Sequence, residues 1–118
     1  MTIRDLDKYV ARLWNWAFLD NCFGATRIRV TDLDGLVEHH DCFLFIEAKG
    51  IGAQVPRGQQ RLFNALKRRG DAVLILWGDP GEPRLMSWWP KPSRPCTTEE
   101  VQAEVSRWFA WSERKVGQ

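Results

Sequence analysis

The sequence lacks any long apolar run and any cysteine framework. In 118 residues, no stretch approaches the roughly 18 apolar residues that a membrane-spanning helix needs. The three cysteines, Cys22, Cys42 and Cys96, are widely spaced and odd in number, a pattern that fits neither a disulfide scaffold nor a zinc knuckle. The first residues, Met-Thr-Ile-Arg-Asp, carry charges where a signal peptide is apolar. We therefore expect a cytoplasmic protein with reduced thiols and no membrane partner.

The chain also lacks a large net charge. Lys and Arg total 17 and Asp and Glu total 15, which leaves +2 and by itself indicates no particular partner. Apolar residues make up 44% and charged residues 27%, as in an ordinary globular protein, so we expect residues 1–118 to form a single domain. Basic side chains nevertheless cluster on one predicted helix, where they could contact a phosphate backbone or simply form a solvated face.

Apolar periodicity predicts alternating helices and strands. The expected order is helix 5–19, strands 27–30, 33–38 and 43–49, helix 59–69, strand 72–77, edge strand 84–89 and a final helix after a capping box at 97–100. The three consecutive strands indicate an antiparallel meander. The pattern therefore predicts an α/β fold with an αβββαβ core, in which helices flank a mixed central sheet, plus an extra edge strand and a C-terminal helix.

The end of the strand 43–49 carries the most informative residues. Four large apolar residues precede Glu47-Ala48-Lys49, which is typical of a strand buried on both faces. Because strand side chains alternate, Glu47 and Lys49 point one way and Ala48 the other. Asp34 begins the preceding apolar stretch and could complete the same site from the neighbouring strand. Two carboxylates and a lysine at one point are what metal-assisted phosphodiester hydrolysis requires.

These motifs together resemble those of the PD-(D/E)xK nuclease superfamily. They are Thr-Asp-Leu-Asp-Gly-Leu at 31–36, Phe-Leu-Phe-Ile-Glu-Ala-Lys-Gly at 43–50 and Gly-Gln-Gln at 58–60. Small phage and bacterial members of this kind include VRR-type nucleases and Holliday-junction resolvases. The resemblance implies a restriction-endonuclease-like core and a Mg²⁺-dependent endonuclease of DNA processing or recombination, with Mn²⁺ able to substitute.

The resemblance also implies a role for each matching residue. Asp34, Glu47 and the backbone carbonyl of Ala48 would bind the metal, whose preferred ligands are oxygens. Lys49 would orient the attacking water and stabilise developing charge. Gln59, at the start of the following helix, would hold a water or a phosphate beside the positive end of the helix dipole.

Several assignments have rivals in the sequence. Asp32 competes with Asp34, and Gln60 competes with Gln59. The superfamily's proline before the aspartate is missing, and residues 3–20 contain no glutamate to complete the metal site. The candidates to replace that glutamate are Asp5, Asp7, Asp20 and Asn15.

DNA is the expected partner, and no segment is spare for a base-reading domain, so contacts should be made to the backbone. A homodimer would be needed to cut a four-way junction symmetrically. The alternative function is a catalytically silent nucleic-acid-binding or assembly subunit, and a weaker one is an α/β domain without any nucleic-acid role. The expected nucleic-acid-binding residues are Arg57, Gln60, Arg61, Lys67 and Arg68.

Two pairs of adjacent residues have simpler interpretations. His39 and His40 are neighbours, and neighbours on a strand face opposite ways, so we expect a turn and no shared metal ion. Trp88 and Trp89 likewise cannot both face one core. One of them could stack on an unpaired base or cover an edge or a dimer contact.

Overall fold

The computed structural model describes residues 14–115, and the chain divides into two compact units, Met1–Asp32 and Leu33–Gln118. The first unit contains a 3-10 helix, Trp16–Phe23, in place of the predicted α-helix; residues 5–13 of that prediction lie outside the described residues. The Asn15 side chain caps this helix by accepting a hydrogen bond from the Ala17 N–H at 2.8 Å. Gly24, with a φ of 66°, ends it.

The predicted strand at 27–30 is wrong, because these residues form no strand. All four side chains are exposed, including Ile28 at 59%. Alternation of polar and apolar residues predicts a strand only where a neighbouring strand and a core receive it. Here no partner strand is present among residues 14–115, so only two strands precede the next helix.

The second unit contains a five-stranded sheet and two helices. The strands are β1 (Gly35–His39), β2 (Cys42–Lys49), β3 (Ala72–Asp79), β4 (Glu82–Trp88) and β5 (Arg94–Pro95). The helices are α1 (Arg57–Arg68) and α2 (Thr98–Glu113).

The sheet is mixed, with its strands in chain order. β2 is antiparallel to β1 and parallel to β3, and α1 makes the crossover between the two parallel strands. β4 and then β5 extend the sheet with antiparallel pairing. The general α/β prediction is therefore confirmed, whereas the three-strand meander is not.

Alternation along β3 supplies both faces of the sheet, since successive side chains point to opposite sides. Val73, Ile75 and Trp77 pack with Phe63 and Leu66 of α1 on one face. The other face packs against α2, and its buried core contains Leu44, Leu74, Met86, Val101 and Trp108. The sheet therefore lies between two helical layers, which explains why β3 reads as an unbroken apolar run.

Several predicted boundaries move by one to three residues. α1 begins at Arg57 instead of 59, and β1 begins at Gly35 instead of 33. β3 continues to Asp79 through a register shift at Trp77 and Gly78, where an added Cβ would clash with the Glu82 carbonyl oxygen. β4 was expected at the edge, but β5 covers it.

The predicted capping box of the last helix is confirmed. The Thr97 hydroxyl accepts from the Glu100 N–H at 3.1 Å, and the Glu100 carboxylate accepts from the Thr97 N–H at 3.2 Å. Two otherwise unpaired N–H groups are satisfied in this way. None of the helices within residues 14–115 is both long and apolar enough to cross a membrane.

Candidate active site

Four polar side chains meet where β2 ends, on the sheet face that α1 covers. Glu47 and Lys49 are the last residues of β2 on this face, and Asp34 immediately precedes β1. Gln59 comes from the first turn of α1. All four belong to the second unit, and they come from three separate segments of it.

The Asp34 carboxylate is held against the backbone of β2. Its Oδ2 accepts a hydrogen bond from the Ala48 N–H at 2.9 Å. This is possible because the pairing of β1 with β2 ends at Gly35 and Ile46. The Ala48 N–H, which points towards the same edge of β2 as the Ile46 N–H, is therefore not used in the sheet. The N–H and C=O of one residue in an extended strand point to the same edge, so the Ala48 carbonyl lies on the Asp34 side.

Glu47 lies between an amide and an ammonium group. Gln59 Nε2 donates to Glu47 Oε1 at 3.1 Å, and Lys49 Nζ lies 3.6 Å from the same oxygen. The Glu47 side chain is only 14% exposed and that of Lys49 only 11%. Such shielding is unusual for two charged side chains, and it strengthens the electrostatic interactions between them.

Burial raises the pKa of Glu47 above its ordinary value. The hydrogen bond from Gln59 opposes this rise, the Asp34 carboxylate adds to it, and the Lys49 ammonium opposes it. The two carboxylates are thus close enough to repel each other. Perturbed carboxylates of this kind are concentrated at functional sites.

The structure distinguishes the two glutamines that the sequence left open. Gln60 Nε2 donates to the Val55 carbonyl at 2.8 Å, so its side chain braces the loop before α1. Gln59 instead contacts Glu47, and its buried Oε1 has no hydrogen-bond partner within residues 14–115. No side chain caps the start of α1, and its first turn contains no acidic residue. The free N–H groups of that turn therefore remain available to an anion.

The two candidate aspartates also differ in their contacts. Asp32 Oδ1 accepts a hydrogen bond from the Trp16 indole at 2.7 Å, within the first unit. Asp34 is the aspartate bonded to β2. Of the residues expected to replace the missing glutamate, Asp5 and Asp7 lie outside the described residues, Asn15 caps the 3-10 helix and Asp20 is exposed on that helix.

The basic residues expected to contact nucleic acid all lie on α1. Arg57, Arg61, Lys67 and Arg68 are exposed, and within residues 14–115 none has a carboxylate oxygen within 4.0 Å. Arg57 and Arg61 belong to the same half of α1 as Gln59. Their charge is consequently available to an external anion.

Trp88 and Trp89 face opposite layers, as alternation requires. The Trp88 indole donates to Glu104 on α2 at 3.2 Å, whereas the Trp89 indole donates to Asn64 on α1 at 2.8 Å. Trp89 also packs edge-on against Phe63, with ring centroids 5.8 Å apart. Both indoles therefore have internal structural roles.

A cavity of about 610 Å³ opens on the other side of β2, towards α2. Ala48, Leu76, Pro83 and Val101 are among its mainly apolar lining residues. Lys49 also lines this cavity, whereas Asp34, Glu47 and Gln59 do not. The volume of this cavity therefore does not mark the carboxylate site, which is defined by its charged groups.

The expectation that His39 and His40 face apart is wrong. His40 and Asp41 adopt φ values of 50° and 64°, so the β1–β2 turn begins at His40 and breaks the alternation. Both Nε2 atoms consequently approach the Glu113 carboxylate, at 3.4 and 3.2 Å. The contact with Glu113 could not be predicted from the sequence, because Glu113 lies 73 residues from His40 and at the far end of a helix. No local signal connects them.

Comparison with protein-family models, with curated proteins and with solved structures finds no match for this chain. The resemblance to PD-(D/E)xK nucleases therefore rests on the quoted motifs alone. The function has to be argued from the chemistry of the site.

Proposed function

We propose that this protein is a metal-dependent nuclease that hydrolyses DNA phosphodiester bonds at the Asp34–Glu47–Lys49 site. The observation that carries the proposal is the convergence of these three side chains with Gln59 on one shielded point. They come from the start of β1, the end of β2 and the first turn of α1. Solvated surface residues would have no reason to be brought together in this way.

The donor set fits a hard divalent cation such as Mg²⁺. Asp34 and Glu47 supply carboxylate oxygens that repel each other, and the single Lys49 ammonium offsets only one of the two negative charges. The unpartnered Oε1 of Gln59 and the carbonyl of Ala48 are further oxygen donors beside them. Oxygen ligands of these types are those that Mg²⁺ and Mn²⁺ prefer. A bound divalent ion supplies Lewis acidity, which polarises the scissile phosphate and offsets negative charge.

The protein side chains have complementary tasks in hydrolysis. The oxygen of water bonds to phosphorus while the bond from phosphorus to the leaving sugar oxygen breaks, and negative charge accumulates on the phosphoryl oxygens. The attacking water loses one proton to the solvent, and the leaving sugar oxygen takes up one proton to become a hydroxyl. Lys49 is held beside Glu47 and can stabilise that charge or orient the water. Gln59 keeps the Glu47 carboxylate in place, and the uncapped start of α1 presents N–H groups to a phosphate oxygen.

DNA is the proposed substrate, and structure-selective processing or recombination is the proposed role. The exposed Arg57, Arg61, Lys67 and Arg68 would contact phosphates, which positions a duplex without reading its sequence. Such contacts should make DNA binding strongly dependent on salt.

The decisive experiment compares the wild-type protein with Lys49→Ala on labelled single-stranded, duplex, flapped and four-way-junction DNA. Each substrate is incubated with Mg²⁺, Mn²⁺ or EDTA. We expect metal-dependent cutting that Lys49→Ala abolishes. Lys91→Ala is the matched control, because Lys91 is exposed and only its backbone makes hydrogen bonds within the described residues.

Two results would contradict the proposal. Cutting that survives in purified, folded Lys49→Ala would exclude this site as its source. Absence of cutting on all four substrates, with DNA still bound, would favour the alternative of a silent binding or assembly subunit.

A further inference from the structure

The turn between β1 and β2 brings two imidazoles and a carboxylate together at the opposite end of β2 from Glu47. One ligand atom from each of His39, His40 and Glu113 lies within 4.8 Å of the others. His39 ends β1, His40 begins the turn, and Glu113 is the last residue of α2. These residues take no part in the proposed nuclease site.

We propose that His39, His40 and Glu113 form a binding site for a transition-metal ion of the Zn²⁺ class. Two imidazole nitrogens and one carboxylate oxygen are a recurrent zinc ligand set, in which water occupies the remaining position. Imidazole ligands favour Zn²⁺, Co²⁺ or Ni²⁺ over Mg²⁺, which prefers oxygen. The chemistry therefore separates this site from the carboxylate site at the other end of the strand.

The distances agree with this assignment. Ligand bonds of about 2.0–2.1 Å in a tetrahedral site place neighbouring ligand atoms about 3.3 Å apart. The His39 and His40 Nε2 atoms lie 3.4 and 3.2 Å from Glu113 Oε2. The ligand atoms of all three residues lie within 4.8 Å of one another.

Contacts within the protein hold the two imidazoles in position. The His39 ring stacks on Phe109 of α2, with centroids 4.7 Å apart, and its Nε2 is buried without a hydrogen-bond partner within residues 14–115. The Glu38 carboxylate accepts from the Asp41 N–H at 3.0 Å, which stabilises the turn that re-aims His40. The His39 and His40 ring centroids are only 3.9 Å apart, so the two imidazoles lie side by side.

An ion at this site would tie the β1–β2 turn to the C-terminal end of α2. Since binding requires the folded arrangement of segments far apart in the chain, the ion should stabilise the folded state. The proposed role is structural, and the inference does not depend on the nuclease proposal.

The test is calorimetric titration and thermal unfolding of chelator-treated, full-length protein with Zn²⁺ alone. We expect one equivalent to bind, and the unfolding temperature to rise by about 8 °C or more at a free Zn²⁺ concentration about 100 times Kd. His40→Asn removes the imidazole with a residue that tolerates a positive φ, and Glu113→Gln removes the charge at constant shape. Each should weaken binding by more than the roughly 10- to 100-fold loss caused by removing an outer-shell partner.

Two controls keep the result specific. Glu99→Gln removes an exposed carboxylate from the other end of α2 and should leave the affinity unchanged. Glu47→Gln should also retain Zn²⁺ binding, which distinguishes this site from the carboxylate site. Near-ultraviolet absorption of the Co²⁺ complex would show thiolate charge transfer if the ion were bound by cysteine.

The proposal is overturned if Zn²⁺ produces neither heat nor a thermal shift. It is equally overturned if His40→Asn and Glu113→Gln bind as the wild type does, or if Co²⁺ is held by thiolate. In any of those cases the cluster is only a polar contact between the two histidines and Glu113.

Discussion

The two ends of strand β2 place a glutamate in opposite electrostatic situations. At the Lys49 end, burial raises the pKa of Glu47, and the Asp34 carboxylate adds to the rise. At the Cys42 end, the adjacent imidazoles of His39 and His40 lower the pKa of Glu113, whose side chain is 47% exposed. β2 has eight residues, so its two ends are about 23 Å apart along the extended chain.

The comparison shows that neighbouring charge and burial, not residue type, set the behaviour of a carboxylate. A shielded Glu47 beside another carboxylate opposes folding when ionised, and such a cost is typical of functional sites. An exposed Glu113 facing two imidazoles favours folding when ionised. We therefore expect the Lys49 end of β2 to take part in catalysis and the Cys42 end to contribute to the stability of the fold.

The largest expected effect comes from Glu47→Gln. This substitution keeps the shape of the side chain and removes its charge, so the proposed cleavage should fall about 10³-fold, equivalent to ~4 kcal/mol in the barrier. Initial rates of DNA cutting in Mg²⁺ measure it. Glu82→Gln, on β4, changes an exposed carboxylate and should have no such effect. Cleavage within tenfold of the wild type would remove Glu47 from the site.

The next largest effect should come from Leu44→Ala, in the interior of β2 between its two ends. Leu44 is fully buried in the core against α2, and its truncation should reduce the free energy of unfolding by about 3 kcal/mol. Urea unfolding measures this loss, which should be the same with and without Zn²⁺. A loss that depended on Zn²⁺ would mean that the core and the His39 end of β2 are energetically coupled.

A smaller effect is expected from Thr97→Ala at the start of α2. Removing the capping hydroxyl should lower the free energy of unfolding by about 1 kcal/mol. Thr98→Ala is the matched control, since no hydrogen bond of the Thr98 side chain occurs within residues 14–115. An equal loss in both variants would show that the capping box adds nothing beyond helix propensity.

The smallest effect concerns pH. Because the folded-state pKa of Glu47 lies above its ordinary value of 4.5, the folded protein binds more protons than the unfolded chain between 4.5 and the raised pKa. The stability of metal-free protein should therefore decrease as pH rises through that window. Glu47→Gln should remove this decrease, so at neutral pH the metal-free variant should be more stable than the metal-free wild type. Parallel stability profiles for the two proteins, measured by urea unfolding, would contradict it.

Much of the fold could be predicted because its signals are local. The apolar run of β3, the run before Glu47 and the capping box at Thr97 each contain their own pattern, and each element is observed. Where the pattern needed a partner, prediction failed. Residues 27–30 alternate as a strand does, yet no neighbouring strand receives them within the described residues.

The candidate sites divide in the same way. Alternation alone places Glu47 and Lys49 on one face, because the period of a strand is two residues. No such rule distinguishes two adjacent glutamines at the start of a helix. Only the packing of α1 against β2 shows that Gln59, and not Gln60, contacts Glu47. The His39 and His40 prediction failed because a turn replaced the strand geometry on which it relied.

The sequence by itself determined the strand that ends in Glu47 and Lys49, the helix that follows it and the α/β class, since these depend on short-range periodicity. Only the tertiary structure decided which aspartate and which glutamine meet Glu47. It also decided that Glu113 meets two histidines far away in the chain. The physical reason is that such contacts depend on how β-strand pairing and helix packing bring distant segments together, which no local pattern encodes.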